Sequence, residues 1–177
     1  MYYITTTRFN ENTWNQNKRY REKTSNKGCI YGSPVVITPV IPVKGKIFVI
    51  EMNNEINKIE GIGYIIKPDS PLESRQIYKN GNYNRYVYVG EYRIDRNMIK
   101  SENDIIVIEV LEKLLFKGRK HNKRGKGISL FPSWLEYNKY NFSFVNYFKK
   151  IFKEEYGEDV LKKSMKCYNK INIGVKK

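Results

Sequence analysis

Two apolar segments separated by a short polar turn are the feature that most restricts how this chain can fold. Residues 46–52 (KIFVIEM) and 59–66 (IEGIGYII) have the β-branched and aromatic composition of strands, and residues 53–58 have that of a turn. The sequence therefore predicts a β-hairpin. Gly61 and Gly63 inside the second strand indicate a bulge or a close approach by another part of the backbone.

Three further segments have the composition of strands: residues 2–9, residues 85–94 with a break at Gly90, and the short segment 128–132. Residues 35–42 are also apolar, but Pro39 and Pro42 exclude a central strand, because proline cannot donate to a β-ladder. This segment predicts an edge strand or an extended cover.

Helices are predicted for three segments in which apolar residues recur with helical spacing: 105–116, 143–157 and 159–168. Residues 10–28 predict a loop or a short irregular helix, and residues 67–82 a long loop. The order of elements predicts an α+β domain with a curled, mainly antiparallel sheet. We expect this sheet to close into a small β-barrel with peripheral helices.

The charge balance indicates the class of partner. The chain has 33 Lys and Arg against 18 Asp and Glu, which gives a formal net charge of +15 at pH 7. An excess of this size favours a polyanion, and nucleic acid, either RNA or DNA, is the first expectation. We expect no membrane partner, because no apolar run has the length of a transmembrane span.

Cysteine and histidine usage bears on compartment and cofactors. Cys29 and Cys167 are far apart and no signal peptide is evident, so an intracellular location, in cytoplasm or nucleus, is expected. With one histidine and two separated cysteines, a zinc site of the usual kind is not expected, and neither is any cofactor. Abundant Lys, Asn, Ile and Tyr suit an AT-rich genome, such as that of a large DNA virus.

Residues 117–127 combine cations with three glycines that allow the backbone to approach a ligand closely. The predicted phosphate-binding residues are Lys117, Arg119, Lys120, Lys123, Arg124 and Lys126. The alternative is a solvated surface loop. His121 lies in the same loop, but its sequence neighbours are basic or amide residues, so no catalytic role is predicted for it.

Four segments resemble the PUA-like superfamily, and within it the EVE and YTH branches. They are the hairpin (KGKIFVIEM at 44–52 with IEGIGYI at 59–65), CIYGSP at 29–34, YVYVGEYRI at 86–94, and RGKGISLFP at 124–132 followed by Trp134. The resemblance covers roughly residues 2–135. It implies a PUA-like β-barrel domain over residues 1–135, with residues 136–177 as a C-terminal helical extension packed on the same domain.

The resemblance also implies a pocket for a flipped, modified base and no catalysis. Tyr31 stands where the YTH branch has its first cage tryptophan. The residues predicted to line the base pocket are Asn12, Trp14, Tyr31, Ser33, Tyr86 and Tyr88. Aromatic side chains would stack on the base, while Ser33 and Asn12 would bond its edge. The alternatives are that Trp14 plugs one end of the barrel and that the tyrosines are half-buried sheet residues.

The sequence thus predicts a non-catalytic nucleic-acid-binding domain that reads a modified base. One rival is a small nucleic-acid-processing enzyme that uses Lys46, Thr5 and Glu51. Another is a sequence-indifferent basic packaging or host-interaction protein of a virus. In the C-terminal helix, an apolar face (Phe144, Val145, Phe148, Ile151 and Phe152) flanked by lysines predicts a cover for the sheet, or a surface for a membrane or a protein partner.

Overall fold

The computed structural model describes residues 1–72, 74–137 and 141–162. Seven strands occur in these residues: β1 (Tyr2–Phe9), β2 (Cys29–Ser33), β3 (Lys46–Asn53), β4 (Lys58–Ile66), β5 (Tyr86–Gly90), β6 (Tyr92–Asp95) and β7 (Ser129–Leu130). Four α-helices accompany them: α1 (Glu11–Lys23), α2 (Glu102–Phe116), α3 (Ser133–Glu136) and α4 (Phe144–Tyr156). Residues 158–161 form a 3₁₀ turn, and most of the helix predicted over 159–168 lies outside the described residues.

Five strands form one sheet in the order β6-β4-β3-β1-β7, and β2 pairs with β5 in a second sheet. The β1–β3 pair is parallel, and the remaining ladders are antiparallel. The predicted α+β class with mainly antiparallel pairing is therefore confirmed. The five-stranded sheet is open, however, because β6 and β7 are its two edges and do not pair with each other in the described part of the chain.

The central strand β3 is buried on both faces. Phe48 and Ile50 point into a core formed with α2 and α4, whereas Ile47 and Val49 point into a second core formed with β2, β5 and α1. Successive side chains of a strand project to opposite faces, so burial of both requires a continuous apolar run. The molecule is consequently layered as helices, large sheet, then small sheet with α1.

The glycines of β4 leave space for the small sheet to pack closely on the large one. A Cβ at Gly63 would lie 2.0 Å from the Tyr31 hydroxyl and 2.7 Å from the Cys29 sulfur of β2. The predicted close approach is confirmed at this position, and the β3–β4 ladder shifts register between Glu51 and Met52, as the predicted bulge would require. Because Cys29 is fully buried by this contact, desolvation raises the pKa of its thiol to about 12.

The polar segment after β1 is more regular than predicted. Residues 11–23 form a 13-residue α-helix that begins with a capping box, in which the Asn10 side chain accepts from the Thr13 N–H and Thr13 bonds back to Asn10. The apolar residues of this helix are few, so its periodicity is weak and its cap is the clearer signal.

The proline-containing segment 35–42 is not a strand; it is a cover with a turn at residues 39–40, where the Ile41 N–H donates to the Thr38 carbonyl at 3.2 Å. Its isoleucines, Ile37 and Ile41, are buried against the small sheet. The Lys67 ammonium donates to the Thr38 carbonyl at 2.9 Å and the Ile41 carbonyl at 2.7 Å, which satisfies backbone groups that have no ladder partner.

The C-terminal helix α4 covers the large sheet, which is one of the roles predicted for its apolar face. It begins after the Ser143 cap and ends at Gly157. Phe148 and Phe152 are fully buried, and their rings lie 5.7 and 5.3 Å from the ring of Phe48. The apolar face is therefore occupied within the chain.

A buried ion pair of the large sheet lies between the two sheets. The Arg93 guanidinium donates from Nη2 to Glu51 Oε2 at 2.7 Å, and the two side chains are 4% and 1% exposed. Glu51 also accepts from the Tyr31 hydroxyl at 2.7 Å. Burial alone would lower the pKa of Arg93, but the Glu51 charge and its hydrogen bonds outweigh burial and raise that pKa.

We expect Arg93→Met to lower the free energy of unfolding by about 3–5 kcal/mol, because the Glu51 carboxylate would remain buried without its partner. Urea denaturation followed by circular dichroism measures this loss. Glu158→Ala is the matched control, since it removes a partner of Lys153 that is 73% exposed, and it should change stability by under about 0.5 kcal/mol. Equal effects of the two variants would contradict the role given to the buried pair.

Candidate functional site

A cleft of about 630 Å³ opens where five segments of the chain meet. Its walls are the C-terminal end of β1, the N-terminus of α1, the end of β2, the loop that precedes β5, and the glycine-rich loop that precedes β7. Asn54, which follows β3, completes the lining. A cleft of this size falls in the range of small-ligand sites, roughly 300–1,000 Å³.

The cleft is cationic. Four of its described lining residues are basic: Arg8, Arg85, Lys123 and Lys126. None of the described lining residues is Asp or Glu. A lining with cations and no carboxylate produces a positive potential inside a concave surface, which attracts anions.

Arg8 is half-buried, and burial lowers its pKa to about 10. Its Nε donates to the Asn122 carbonyl at 2.9 Å, and its Nη1 donates to Ser129 Oγ at 3.1 Å. A guanidinium has five N–H donors, so three remain without a partner among the described residues. No carboxylate of the described chain lies within ion-pair distance of Arg8, in contrast to Arg93.

The glycine-rich loop packs directly on Arg8. A Cβ at Gly125 would lie 2.7 Å from the guanidinium carbon, and the residue has a φ of +150° that favours glycine. Asn122 anchors the same loop, since its amide donates to Thr6 of β1 at 3.0 Å while its backbone N–H bonds the Leu115 carbonyl at 2.6 Å. The loop is therefore held against the end of β1.

The opposite wall is organised by Asn84, which is 2% exposed. Its side-chain oxygen accepts from the N–H groups of Ile77 and Tyr78 at 3.1 and 2.9 Å, and its nitrogen donates to the Tyr78 carbonyl at 2.7 Å. The Tyr78 ring is thus fixed, and the Tyr83 ring packs edge-on against it at 6.2 Å. Tyr83 is 41% exposed and lines the cleft.

Amide side chains supply the polar part of the lining. They are Asn10, Asn54, Asn80 and Asn82. Asn54 donates to the Lys123 carbonyl at 2.9 Å, whereas its side-chain oxygen is buried and has no partner among the described residues. Such an oxygen can accept one hydrogen bond from a ligand.

The predicted phosphate-binding loop contributes to the cleft in part. Lys123 and Lys126 line it, together with Gly125 and Gly127. The other four predicted cations are exposed and lie outside the described lining: Lys117, Arg119, Lys120 and Arg124. The Lys120 ammonium lies 5.9 Å from the centre of the Trp134 ring.

The six residues predicted to line a base pocket are not brought together at one surface. Four are in the core and do not line the cleft: Trp14 (6% exposed), Tyr31 (1%), Ser33 (0%) and Tyr88 (1%). Their polar groups have internal partners, because Tyr31 bonds Glu51, Tyr88 accepts from the Ile37 N–H at 3.0 Å, and Ser33 bonds the Val35 carbonyl. Of the other two, Asn12 is exposed and Tyr86 is half-buried.

Trp14 packs between cations within the protein. The guanidinium carbons of Arg93 and Arg21 lie 5.4 and 5.5 Å from its ring, and the Phe9 ring packs against it at 5.2 Å. The ring is therefore used for packing in the core between α1 and the small sheet. It plugs no barrel end, because the large sheet is open.

The three residues considered for catalysis are also separated. Lys46 and Glu51 are five residues apart on β3, which places them on opposite faces and about 16 Å apart along the strand. Thr5 is 1% exposed and donates to the Phe48 carbonyl at 3.3 Å. This arrangement brings no nucleophile and base together.

Sequence reasoning missed Arg8, Tyr83, Asn84 and Arg85. Two signals pointed to them: an arginine near the end of an otherwise uncharged strand, and an aromatic residue inside the polar segment NGNYNR at 80–85. Tyrosine flanked by asparagines is typical of an exposed aromatic in a loop. Nothing in the sequence indicates that Arg8 and Gly125 are adjacent, since the two residues are far apart along the chain.

Comparison with protein families, curated proteins and solved structures finds no significant match to this chain. In residues 1–72, 74–137 and 141–162, no group of three or more His, Cys, Asp or Glu side chains has the geometry of a metal site. Within the same ranges, none of the helices combines the length and the apolar character needed to cross a membrane.

We expect Asn84→Ala to lower the free energy of unfolding by about 1–3 kcal/mol, because it leaves the Tyr78 N–H without a partner. The Ile77 N–H and the Tyr78 carbonyl would each lose one of two partners and keep Arg75 and Gln76. Residues 77–83 should then become cleavable by limited proteolysis under native conditions. Asn82→Ala provides the control, since Asn82 is exposed in the same loop and its loss should leave stability and cleavage unchanged. Resistance of Asn84→Ala to proteases would contradict the role of Asn84.

Proposed function

We propose that this chain binds single-stranded nucleic acid, RNA or DNA, at the cationic cleft and performs no covalent chemistry on it. The observation that carries the proposal is Arg8, a half-buried cation with three free N–H donors and no acidic partner in the described chain. A partly desolvated cation without an ionic partner is costly, and a bound anion would offset this cost. The net charge of +15 favours the same class of ligand.

A phosphate in the cleft would bind to Arg8 and to the lysines of the glycine-rich loop. Arginine can donate two parallel hydrogen bonds to two oxygens of one phosphate, and Lys123 and Lys126 would add charge. The exposed cations Lys117, Arg119, Lys120 and Arg124 extend the basic surface beyond the cleft. They would bind adjacent phosphates of the same strand and make the affinity depend on salt.

Tyr83 favours a single strand over a duplex. It is the exposed aromatic of the cleft wall, and a ring in that position can stack on an unpaired base. Asn80 and Asn82 beside it are suited to bond a base edge.

More specifically, we propose that the chain is related to PUA-like EVE or YTH domains and that it reads a modified base. What supports these two points is the sequence resemblance and the β3–β4 hairpin, whose glycines allow β2 to pack closely. If a modified base is read, Tyr83 is the exposed aromatic side chain of the cleft that would contact it. The proposal also includes an intracellular location and a viral origin of the protein.

We expect Arg8→Met, Lys123→Met and Lys126→Met each to weaken binding of a labelled single-stranded oligonucleotide, measured by fluorescence anisotropy at several salt concentrations. Removal of one phosphate-binding cation should reduce the slope of log K against log[salt] by about 0.7. Tyr83→Leu should lower affinity about tenfold or more and leave that slope unchanged, because stacking involves no counterion release.

Lys100→Met is the matched control. Lys100 is exposed and precedes α2, so the length of that 15-residue helix, about 22 Å, separates it from the start of the glycine-rich loop. If Lys100→Met weakens binding as much as Arg8→Met does, binding is spread over the whole basic surface and the packaging alternative is favoured. Absence of binding to RNA and DNA at about 50 mM salt would refute the proposal.

A further inference from the structure

The position of Arg8 restricts which kind of phosphate can reach it. Its guanidinium is covered by Gly125, and two of its five donors are occupied by Asn122 and Ser129. The free donors are those of Nη2 and the second N–H of Nη1, which form the edge used for two-oxygen contacts. A ligand oxygen that reaches these donors lies in the cleft, which Lys123 and Lys126 also line.

A phosphate inside a strand carries nucleotides on both sides, and a cleft that binds it must accommodate both of them. A phosphate at the end of a strand needs space on one side only. It also carries a charge of about −1.5 to −2 at pH 7 and three terminal oxygens, whereas an internal phosphodiester carries a single charge and two such oxygens. Four cations without a lining carboxylate match the higher charge.

From these observations we propose that the cleft recognises the terminal phosphomonoester of a single strand, and that Arg8 is the residue that specifies it. This inference rests on the proposed function and goes beyond it by naming the chemical group. The terminal phosphate binds Arg8, Lys123 and Lys126, and the adjoining base stacks on Tyr83.

The size of the cleft is consistent with a small, highly charged group. The N-terminus of α1 contributes Asn10 and Thr13 to the lining, but its N–H groups already bond within the chain, Glu11 to the Glu55 carboxylate and Thr13 to Asn10. The basic side chains therefore supply the positive charge of the site. The volume of about 630 Å³ lies in the range of small-ligand pockets, which suits one nucleotide.

The experiment compares one short oligonucleotide in three forms: with a 5′-phosphate, with a 3′-phosphate, and with hydroxyls at both ends. Affinity is measured by competition against a labelled phosphorylated strand, at constant salt. We expect the wild-type protein to bind one phosphorylated form about tenfold or more tightly than the hydroxyl form. Inorganic phosphate should compete with that form at millimolar concentration.

The variants identify the group responsible. Arg8→Lys keeps the charge and removes the two-oxygen contact, so it should weaken the preferred form about tenfold more than the hydroxyl form. Gly125→Ala should do the same by displacing the guanidinium. Gly118→Ala is its control, since Gly118 is in the same loop with a φ of +79° and nothing within 4 Å of an added Cβ.

The outcomes separate this inference from the proposed function. Equal affinity of the wild-type protein for the three forms would overturn terminal recognition and leave nucleic-acid binding intact. No binding of any form would overturn both. If the matching nucleoside monophosphate binds as tightly as the oligonucleotide, the ligand is a free nucleotide and the assignment to a strand end is wrong. The wild-type comparison does not depend on the folding of any variant.

Discussion

The burial of β3 on both faces, with a carboxylate inside it, is the constraint on which the arrangement of the layers depends. Glu51 is neutralised by Arg93 of β6 and accepts from Tyr31 of β2, so one acidic group connects three strands of two sheets. Gly61 leaves the space that the guanidinium occupies, and Trp14 of α1 covers it. Buried pairs of this kind contribute little net stability, but they favour a single arrangement of the residues around them.

The parallel pairing of β1 with β3 positions several residues of the cleft. Parallel strands end at the same edge of a sheet, and Phe9 is paired with Asn53 at that edge. Arg8, Asn10 and Asn54 are therefore adjacent in space, with the start of α1 beside them. The glycine-rich loop reaches the same edge because β7 pairs with β1 on its other side.

The strands and the buried helices were predictable from local patterns. The β3–β4 hairpin, the break at Gly90 and the Ser143–Gly157 limits of α4 agree with prediction, because apolar periodicity and caps determine them locally. The positions of the tyrosines were not predictable. Alternation places Tyr86 and Tyr88 on one face of a strand, but only the packing of the small sheet on β3 determines that Tyr88 is buried. The cleft depends equally on contacts between distant segments, such as Arg8 with Asn122.

The open sheet has short edge strands. β6 has four residues and β7 has two, so the outermost strand on either side of the five-stranded sheet offers few backbone donors and acceptors. Addition of a strand from a second copy of the chain is therefore disfavoured at β6 and β7, and the like charge of two copies opposes their approach.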